Sequence, residues 1–318
     1  MTQRVGDERL NDIINHVVKH GKEHALESFG ITEETYNRYK REIRKRFGET
    51  FELLMKLKEN YSDVELKAIS KGGRIVPGYA KAPIIHFDGE EITFGIMSDT
   101  HLGSSSTDPA RVVSALEQME KMGCEFICHA GDVVEGMMGR KGHEFELTHL
   151  GYKAQRDHAV DVFSFWKKPL YMVGGNHDCS MNTKLGVGID IVEDICSRLP
   201  SALYLGPNDG DLSIKGTVIK LFHGLDGAAY ALGYRIQKIV ESFTGGEKPN
   251  LLITGHDHKA LYLFYRNVHA IAGGCIQKQT IFMRGKKLAA MCGFWIVTMS
   301  VKDGCIKWIK PCWYPFYV

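Results

Sequence analysis

The sequence has no run near the ~20 apolar residues that a membrane span needs, which argues against an integral membrane protein. Its first residues, Met1 to Arg9, are polar with no apolar stretch behind them. No secretory signal is read there, and a cytoplasmic location without membrane attachment is expected. Eight cysteines are present, but they are scattered and show neither Cys-x-x-Cys pairs nor zinc-ribbon spacing. They are therefore expected to be reduced and mostly buried. Neither sign of charge dominates: 40 basic and 38 acidic residues leave a net +2. Global charge thus neither favours nor excludes a polyanionic partner; only its distribution can. Internal repeats and low-complexity tracts are missing too, which sets aside a repeat array. What remains is 318 residues, 44% hydrophobic and 25% charged, enough for one large domain and a small one.

The informative feature is how the apolar runs end. Five of them read as buried strands: Ile92 to Met97, Phe126 to Ala130, Leu170 to Val173, Val218 to Phe222 and Leu251 to Thr254. Each stops at a Gly or at a metal-type donor. The stops are Asp99-Thr100-His101, Gly131-Asp132, Gly174-Gly175-Asn176-His177-Asp178, His223-Gly224 and Gly255-His256-Asp257-His258. Open α/β sheets build sites at the carboxyl ends of strands. Asp99 and His101, two apart on extended backbone, share a face, and so do His256 and His258. The anchors at 99, 132, 176, 223 and 256 are 33, 44, 47 and 33 residues apart, room each time for a helix and a return strand. Seven oxygen and imidazole donors are enough for two metal ions, and they suit Mn, Fe or Zn rather than a thiolate site. Cys179 beside the motif reads as a small filler.

Residues 1–48 read as a small helical domain. Leu10, Ile13, Ile14, Val17 and Val18 form one apolar stripe. A short helix from about Glu23 ends at Gly30, and Thr32 with two acids starts another. That last helix carries Tyr36, Tyr39, Ile43 and Phe47 on one side and Arg38, Lys40, Arg41, Arg44, Lys45 and Arg46 elsewhere. The unit resembles a helix-turn-helix. Arg38, Arg41, Arg44 and Lys45 read either as a nucleic-acid contact face or as solvated cations near a helix C-terminus. Residues 49–81 read as a connector with one helix near Phe51 to Leu57. The main domain is expected over 82–318. It should open with a hairpin in which Pro83 to Phe87 turns back at Asp88-Gly89 into Ile92 to Met97. Amphipathic helices are predicted over Asp108 to Met122, with Val112, Leu116, Met119 and Met122 inward, and over Tyr230 to Phe243, with Leu232, Ile236, Ile239 and Val240 apolar. Strands at Ala260 to Tyr265, Val268 to Ile271, Gln279 to Phe282, Phe294 to Val301 and Cys305 to Ile309 are expected to form an antiparallel second sheet.

In order, the five motifs (D-x-H, G-D-x-x-E, G-N-H-D, H-G, G-H-x-H) resemble those of the calcineurin-like metallophosphoesterase superfamily. The resemblance implies an α/β fold, a two-sheet β-sandwich flanked by helices, and a dinuclear metal centre that activates water. It implies that Asp99, His101, Asp132 and His258 hold one metal. Asp132, Asn176, His223 and His256 would hold the other, with Asp132 shared and Mn the expected ion. It makes His177 the general acid or an electrostatic stabiliser. Asp178 is expected to fix the tautomer of His177, with a turn carboxylate as the alternative. Glu135 is either a supporting group or a solvated residue. Of the remaining histidines, His129 is read as strand interior, and Arg140, Lys141 and His143 as a loop that could meet substrate phosphates or simply be solvated.

Glu135 and Asp178 depart from the G-D-x-x-D-R-G and G-N-H-E of the superfamily's protein phosphatases, which speaks against phosphoprotein substrates. With the basic helical unit added, the chain is similar to phage or prophage phosphoesterases. The first reading is accordingly a phosphodiesterase or nuclease acting on DNA or RNA. The alternatives are a small-molecule phosphatase or nucleotidase whose N-terminal unit makes a homo-oligomer, and a non-catalytic DNA-binding scaffold.

Overall fold

The computed structural model of the chain describes residues 12, 13, 16, 17, 22–47 and 82–317, except 185, 187, 226, 228, 245 and 246. The chain divides into two compact units: Met1–Lys81 with Thr244–Glu247, and Ala82–Phe243 with Lys248–Val318.

The first unit contains helices α1 (Lys22–Phe29) and α2 (Glu33–Phe47). Gly30 between them is left-handed at φ 58°, the conformation that ends a helix cheaply only at glycine. Thr32 Oγ1 accepts the Thr35 N–H at 3.2 Å and so caps α2. Ile13, Val17, Ala25, Tyr36 and Tyr39 form a small buried cluster with Leu26, Phe29 and Ile31 against it. Arg38 and Arg41 are exposed. Arg44 and Lys45 lie within α2, but their side chains fall outside the described residues, as do Leu10, Ile14 and Val18 and the whole 49–81 connector.

The second unit runs β1 (Ile84–Ile85), β2 (Glu91–Met97), α3 (Pro109–Lys121), β3 (Ile127–His129), α4 (Tyr152–Phe163), β4 (Leu170–Val173), α5 (Asn176–Thr183), α6 (Ile191–Arg198), β5 (Ala202–Gly206), β6 (Asp209–Ile214) and β7 (Thr217–Phe222). It continues with α7 (Tyr234–Ser242), β8 (Leu251–Thr254), β9 (Ala260–Tyr265), β10 (Val268–Gly273), α8 (Ile281–Lys286), β11 (Gly293–Lys302) and β12 (Cys305–Pro315). Two six-stranded sheets form, in the orders β1-β6-β7-β8-β10-β9 and β12-β11-β2-β3-β4-β5. Their facing surfaces share one dry core, with Phe94, Phe126 and Val297 from one sheet and Leu221, Ile253 and Ile271 from the other. Helices α3, α4 and α6 cover the outer face of the second sheet through Val112, Leu116, Phe163 and Ile195. Helix α7 covers the outer face of the first through Ile236, Ile239 and Val240. This is the helix-flanked two-sheet α/β sandwich expected.

Several local expectations fail. Ile84 and Ile85 pair in parallel with Ser213 and Ile214, not with β2, so the turn at Asp88-Gly89 carries the chain from one sheet to the other instead of closing a hairpin. The late strands do not make one antiparallel sheet. The pairs β9–β10 and β11–β12 each add an antiparallel edge to a different sheet. Alternation alone does not say which partner a strand finds. Gln279 to Phe282 is not a strand; Thr280 accepts the Met283 N–H and starts α8. Met122 lies past the end of α3 and is exposed, and Tyr230 and Leu232 precede α7 and are exposed. Of the cysteines, all free, five are buried, while Cys179 and Cys312 are partly exposed and Cys305 is exposed. Among the described residues no helix is long and apolar enough to cross a membrane.

Candidate metal centre

In one sheet β2, β3 and β4 run parallel, and in the other β7 and β8 do. Their carboxyl ends therefore open on one side of the sandwich, and the residues that follow them meet there. Asp99, His101, Asp132, His223 and His258 are buried. Ten non-glycine residues among those described have positive φ; five are Asp99 (51°), His101 (45°), Asp132 (52°), His256 (84°) and His258 (53°). Such conformations cost ~1–3 kcal/mol each and persist where the surroundings impose them, typically at functional sites.

Six of the expected donors fall into two groups, Asp99, His101 and His258 in one and Asp132, His223 and His256 in the other, with donor atoms within 4.8 Å of one another; a third group of this kind joins His101 to Glu135 and His177. In the first, His101 Nε2 lies 3.1 Å from His258 Nε2, and His258 Nε2 lies 3.3 Å from Asp99 Oδ1. In the second, Asn176 Oδ1 is 2.7 Å from His256 Nδ1 and 3.1 Å from His223 Nε2. Asp132 Oδ2 stands between the groups, 3.1 Å from His223 Nε2 and 3.7 Å from His101 Nε2. All seven expected donors thus converge, with the shared aspartate in the middle.

The chemistry of these donors fits divalent cations. His223 donates Nδ1–H to the Ala130 carbonyl at 2.7 Å, and His101 turns Nδ1 to Glu135 Oε2 at 3.0 Å. A neutral ring so held presents its Nε2 lone pair to the neighbouring donors, and such atoms repel one another unless a proton or a metal cation lies between them. Burial would lower His223, yet Asp132 and Asp99 raise it to about 9, so this is a place that favours positive charge. Donors about 2.1 Å from one ion stand about 3.0–3.4 Å apart, the spacing of four of these pairs, while Asn176–His256 is shorter at 2.7 Å and Asp132–His101 longer at 3.7 Å. Burial would push the Asp132 carboxyl up, yet His223, His177 and His101 hold it well below the usual carboxylate range. Asp99 is likewise driven up by burial and pulled below that range by His258. Close approach needs a glycine: a Cβ on Gly175 would fall 2.3 Å from Asp132 Oδ1 and 2.8 Å from His223 Nε2.

His177 stands at the start of α5. Its backbone N–H donates to Asp132 Oδ1 at 2.8 Å, and its Nδ1 meets the Glu135 carbonyl at 2.7 Å. The expectation for Asp178 is corrected. Its carboxylate accepts the N–H groups of Val133, Val134 and Gly175 at 2.9–3.1 Å and does not hold the His177 ring. Burial, then the nearby Asp132 charge, pushes Asp178 well above the ordinary range. It ties the G-D-V-V turn to the start of α5, while the Glu135 carbonyl sets the His177 tautomer.

Glu135 is not solvated. Its carboxylate receives His143 Nε2 at 2.9 Å and Gln277 Nε2 at 2.6 Å in addition to facing His101. His143 is therefore a buried support, and Arg140 is spent on a two-pronged pair with Glu146; neither is the free phosphate contact that the loop suggested. Sequence reasoning missed Arg235, a buried arginine that donates to the carbonyls of Gly255 (2.7 Å) and His223 (2.5 Å) and so joins two ligand turns. Its signal was a cation beside Ile236 on an otherwise apolar helix face. Cys179 Sγ contacts the Pro207 carbonyl at 3.7 Å and joins neither donor group. A cavity of about 640 Å³ opens over the centre, lined by His101, Asp132, Asn176, His177 and His258 at its base and by Tyr230, Phe282, Lys286 and Lys287 above.

Comparison with known proteins places this geometry. The chain is 22% identical over 273 residues to the DNA polymerase II small subunit of Methanothermobacter thermautotrophicus, a match covering 70% of this chain and 56% of that protein, so the chain spans about half of its relative's length. Among solved structures, an archaeal phosphodiesterase is similar at 15% identity and a TM-score of 0.39, covering 70% of this chain and 100% of that one. Vacuolar protein sorting 29 of Cryptosporidium parvum is similar at 11% identity and a TM-score of 0.38, covering 72% and 100%. The profile of the calcineurin-like phosphoesterase superfamily domain matches residues 92–285, more than half of the chain and all seven donors. The protein belongs to the calcineurin-like phosphoesterase superfamily.

Proposed function

We propose that the protein is a metal-dependent phosphodiesterase that cleaves nucleic acid. The observation that carries this reading is the position of Asp132 Oδ2 between two groups of lone-pair donors. Asp99, His101, Asp132 and His258 would hold one divalent cation, and Asp132, Asn176, His223 and His256 the other, with Mn expected and Fe or Zn also suited to the donors. When bound, such a pair supplies Lewis-acid stabilisation of a phosphoryl group. The chain does the rest. His177 Nδ1–H is held by the Glu135 carbonyl, which leaves Nε2 to pass a proton to the leaving oxygen. Glu135 Oε2 stands 3.0 Å from His101 Nδ1 and gives that ring a charged neighbour, and Arg235 fixes the turns at His223 and Gly255. The name of the archaeal relative links it to a DNA polymerase, and the exposed cations Arg38 and Arg41 on α2 suit a polyanion. Arg44 and Lys45 extend that series in sequence.

A second reading, a small-molecule phosphatase or nucleotidase, draws on the cavity, whose volume lies within the ~300–1,000 Å³ of ordinary ligand pockets. A substrate panel with Mn separates the two: single- and double-stranded DNA, RNA, bis-p-nitrophenyl phosphate, nucleoside monophosphates and a phosphopeptide. Diester cleavage is expected to exceed monoester cleavage; faster turnover of nucleoside monophosphates would select the second reading.

A further inference from the structure

The cavity above the donor cluster has walls that the hydrolytic chemistry does not use. One wall is the segment from Lys278 to Lys287. It contains four cations, Lys278, Arg284, Lys286 and Lys287, and no acid. Lys286 and Lys287 line the cavity, both are exposed, and among the described residues neither has a carboxylate partner. The segment is held as a unit: Thr280 caps it, the Leu288 N–H donates to the Met283 carbonyl, and Gln279 Nε2 donates to the Leu288 carbonyl at 2.8 Å. Phe282, 47% exposed, lines the same cavity. The Arg140 guanidinium lies 5.2 Å from the centre of its ring and is itself anchored by Glu146, so the ring has a supported face.

Tyr230 is fully exposed and also lines the cavity. Its place is set from below. Lys259, buried and adjacent to His258, donates Nζ to the carbonyls of Ala229 and Ala231 on either side of it. A single exposed ring is ordinary on a protein surface; what distinguishes Tyr230 is that it shares a cavity with Phe282 and two lysines. Two exposed rings and two unpaired cations around one opening match the two parts of an unpaired nucleotide strand. The rings suit base faces, and the cations suit phosphates. A duplex hides its base faces within the stack, and its width does not fit a cavity of this volume.

We propose that Tyr230 and Phe282 stack unpaired bases while Lys286 and Lys287 hold the flanking phosphates, so that the site takes single-stranded polynucleotide or the frayed end of a duplex. This rests on the phosphodiesterase reading above and adds its substrate form.

The test uses the full chain with Mn. Tyr230→Ala, Phe282→Ala and Lys286→Ala/Lys287→Ala are compared with wild type in fluorescence-anisotropy binding of a labelled single-stranded oligonucleotide, in its cleavage, and in hydrolysis of bis-p-nitrophenyl phosphate. Each aromatic loss is expected to weaken binding roughly 5- to 100-fold, and Tyr230→Phe to restore it, since the ring does the stacking. The double lysine variant is expected to flatten the log–log salt dependence by about 1.4, at ~0.7 for each single-strand phosphate that is no longer neutralised. Bis-p-nitrophenyl phosphate hydrolysis is followed in each variant as a check that the centre stays assembled, and the loss on the oligonucleotide is expected to exceed the loss on this small diester. Unchanged binding and salt slope, or tighter binding of blunt duplex than of single strand, overturns the proposal. If wild type hydrolyses no diester, the phosphodiesterase reading fails, and the binding series still decides whether this rim holds a strand. Tyr230 is wholly exposed, so its variants keep the test valid if a change at Phe282 disturbs folding.

Discussion

Two stretches of this chain are strongly basic, and they differ in what they face. Helix α2 carries exposed Arg38, Lys40 and Arg41 around a buried pair of tyrosines, Tyr36 and Tyr39, and the Arg38 guanidinium lies 5.5 Å from the centre of the Tyr39 ring. The segment from Lys278 to Lys287 is as cationic for its length and has no acid, and it lines a cavity shared with the donor cluster. The first drew attention in the sequence because its charges sit on a regular helix with a clear apolar stripe. The second passed as an ordinary strand. A run of cations is evidence about a polyanion only once its surroundings are known: on α2 solvation is enough to explain it, whereas beside exposed rings over a cluster of metal-type donors it supports the proposed strand contact.

The contrast presumes that the cavity is where chemistry happens, and the largest effects test that. Asp132→Ala should reduce diester hydrolysis by on the order of 1,000-fold, because it removes the shared donor and with it several kcal/mol of transition-state stabilisation. Oligonucleotide binding should persist, and metal content measured by elemental analysis should fall. Retained activity would move the reaction elsewhere and dissolve the contrast between the two segments. His177→Ala should keep its metal yet lose turnover by ~100-fold or more; an equal loss of metal would make His177 a ligand instead.

Gly175→Ala sharpens the picture without changing charge. The glycine's backbone has an ordinary extended conformation, so the fault lies in the new methyl, which meets Asp132 Oδ1, the Asp132 backbone nitrogen and His223 Nε2. A loss of roughly 10- to 100-fold in turnover is expected from a displacement of that size, with little change in oligonucleotide affinity. Arg38→Glu/Arg41→Glu reverses charge on α2 and should weaken oligonucleotide binding by about 3- to 10-fold at low salt. Bis-p-nitrophenyl phosphate should be hydrolysed as by wild type. If this pair outweighs the lysine pair at 286 and 287, the ranking of the two segments inverts.

The smallest effect separates the core from the site. His129 is buried in β3 beside Thr100 Oγ1 (3.0 Å), and burial pushes it down from its ordinary 6.5 to about 3. Between those values the unfolded chain binds a proton that the folded one refuses. Folding stability therefore falls as pH drops below about 6.5, by up to ~1.4 kcal/mol per unit. His129→Leu leaves the Thr100 hydroxyl its bond to the Val133 carbonyl. The unfolding midpoint of that variant should depend less on pH between 6.5 and 5 than wild type does, with activity at neutral pH nearly unchanged. Identical slopes would mean that this ring does not govern acid sensitivity.

The parts of the fold that could be read in advance were those set by short-range pattern. Strands β4 and β8 were predicted to the residue, and α3 to within one at each end, because Asp108 and Pro109 mark its start. Strand pairing could not be read. Nothing in Ile84-Ile85 says that its partner lies some 130 residues on and not next door. Helix α8 was missed because Gln279 to Phe282 carries no strand-or-helix period over so short a span. The same division runs through the site. Asp178 follows His177 in sequence, yet the helical start turns its carboxylate toward backbone amides. The group that does meet His177 is a carbonyl, which no sequence pattern marks. His143, Gln277 and Arg235 support the centre over separations of 8 to more than 140 residues.

The order and identity of the donors at five strand ends are enough, by themselves, to specify the sandwich, the family and the seven converging side chains. That is because buried parallel strands must end at a common edge, and whatever polar residues follow them are delivered there. What only tertiary structure decided is everything perpendicular to the strands: which edge each hairpin joined, which oxygen orients His177, and which basic segment looks into the cavity. Those outcomes depend on contacts between residues distant in sequence, and their energies are settled by packing rather than by local preference.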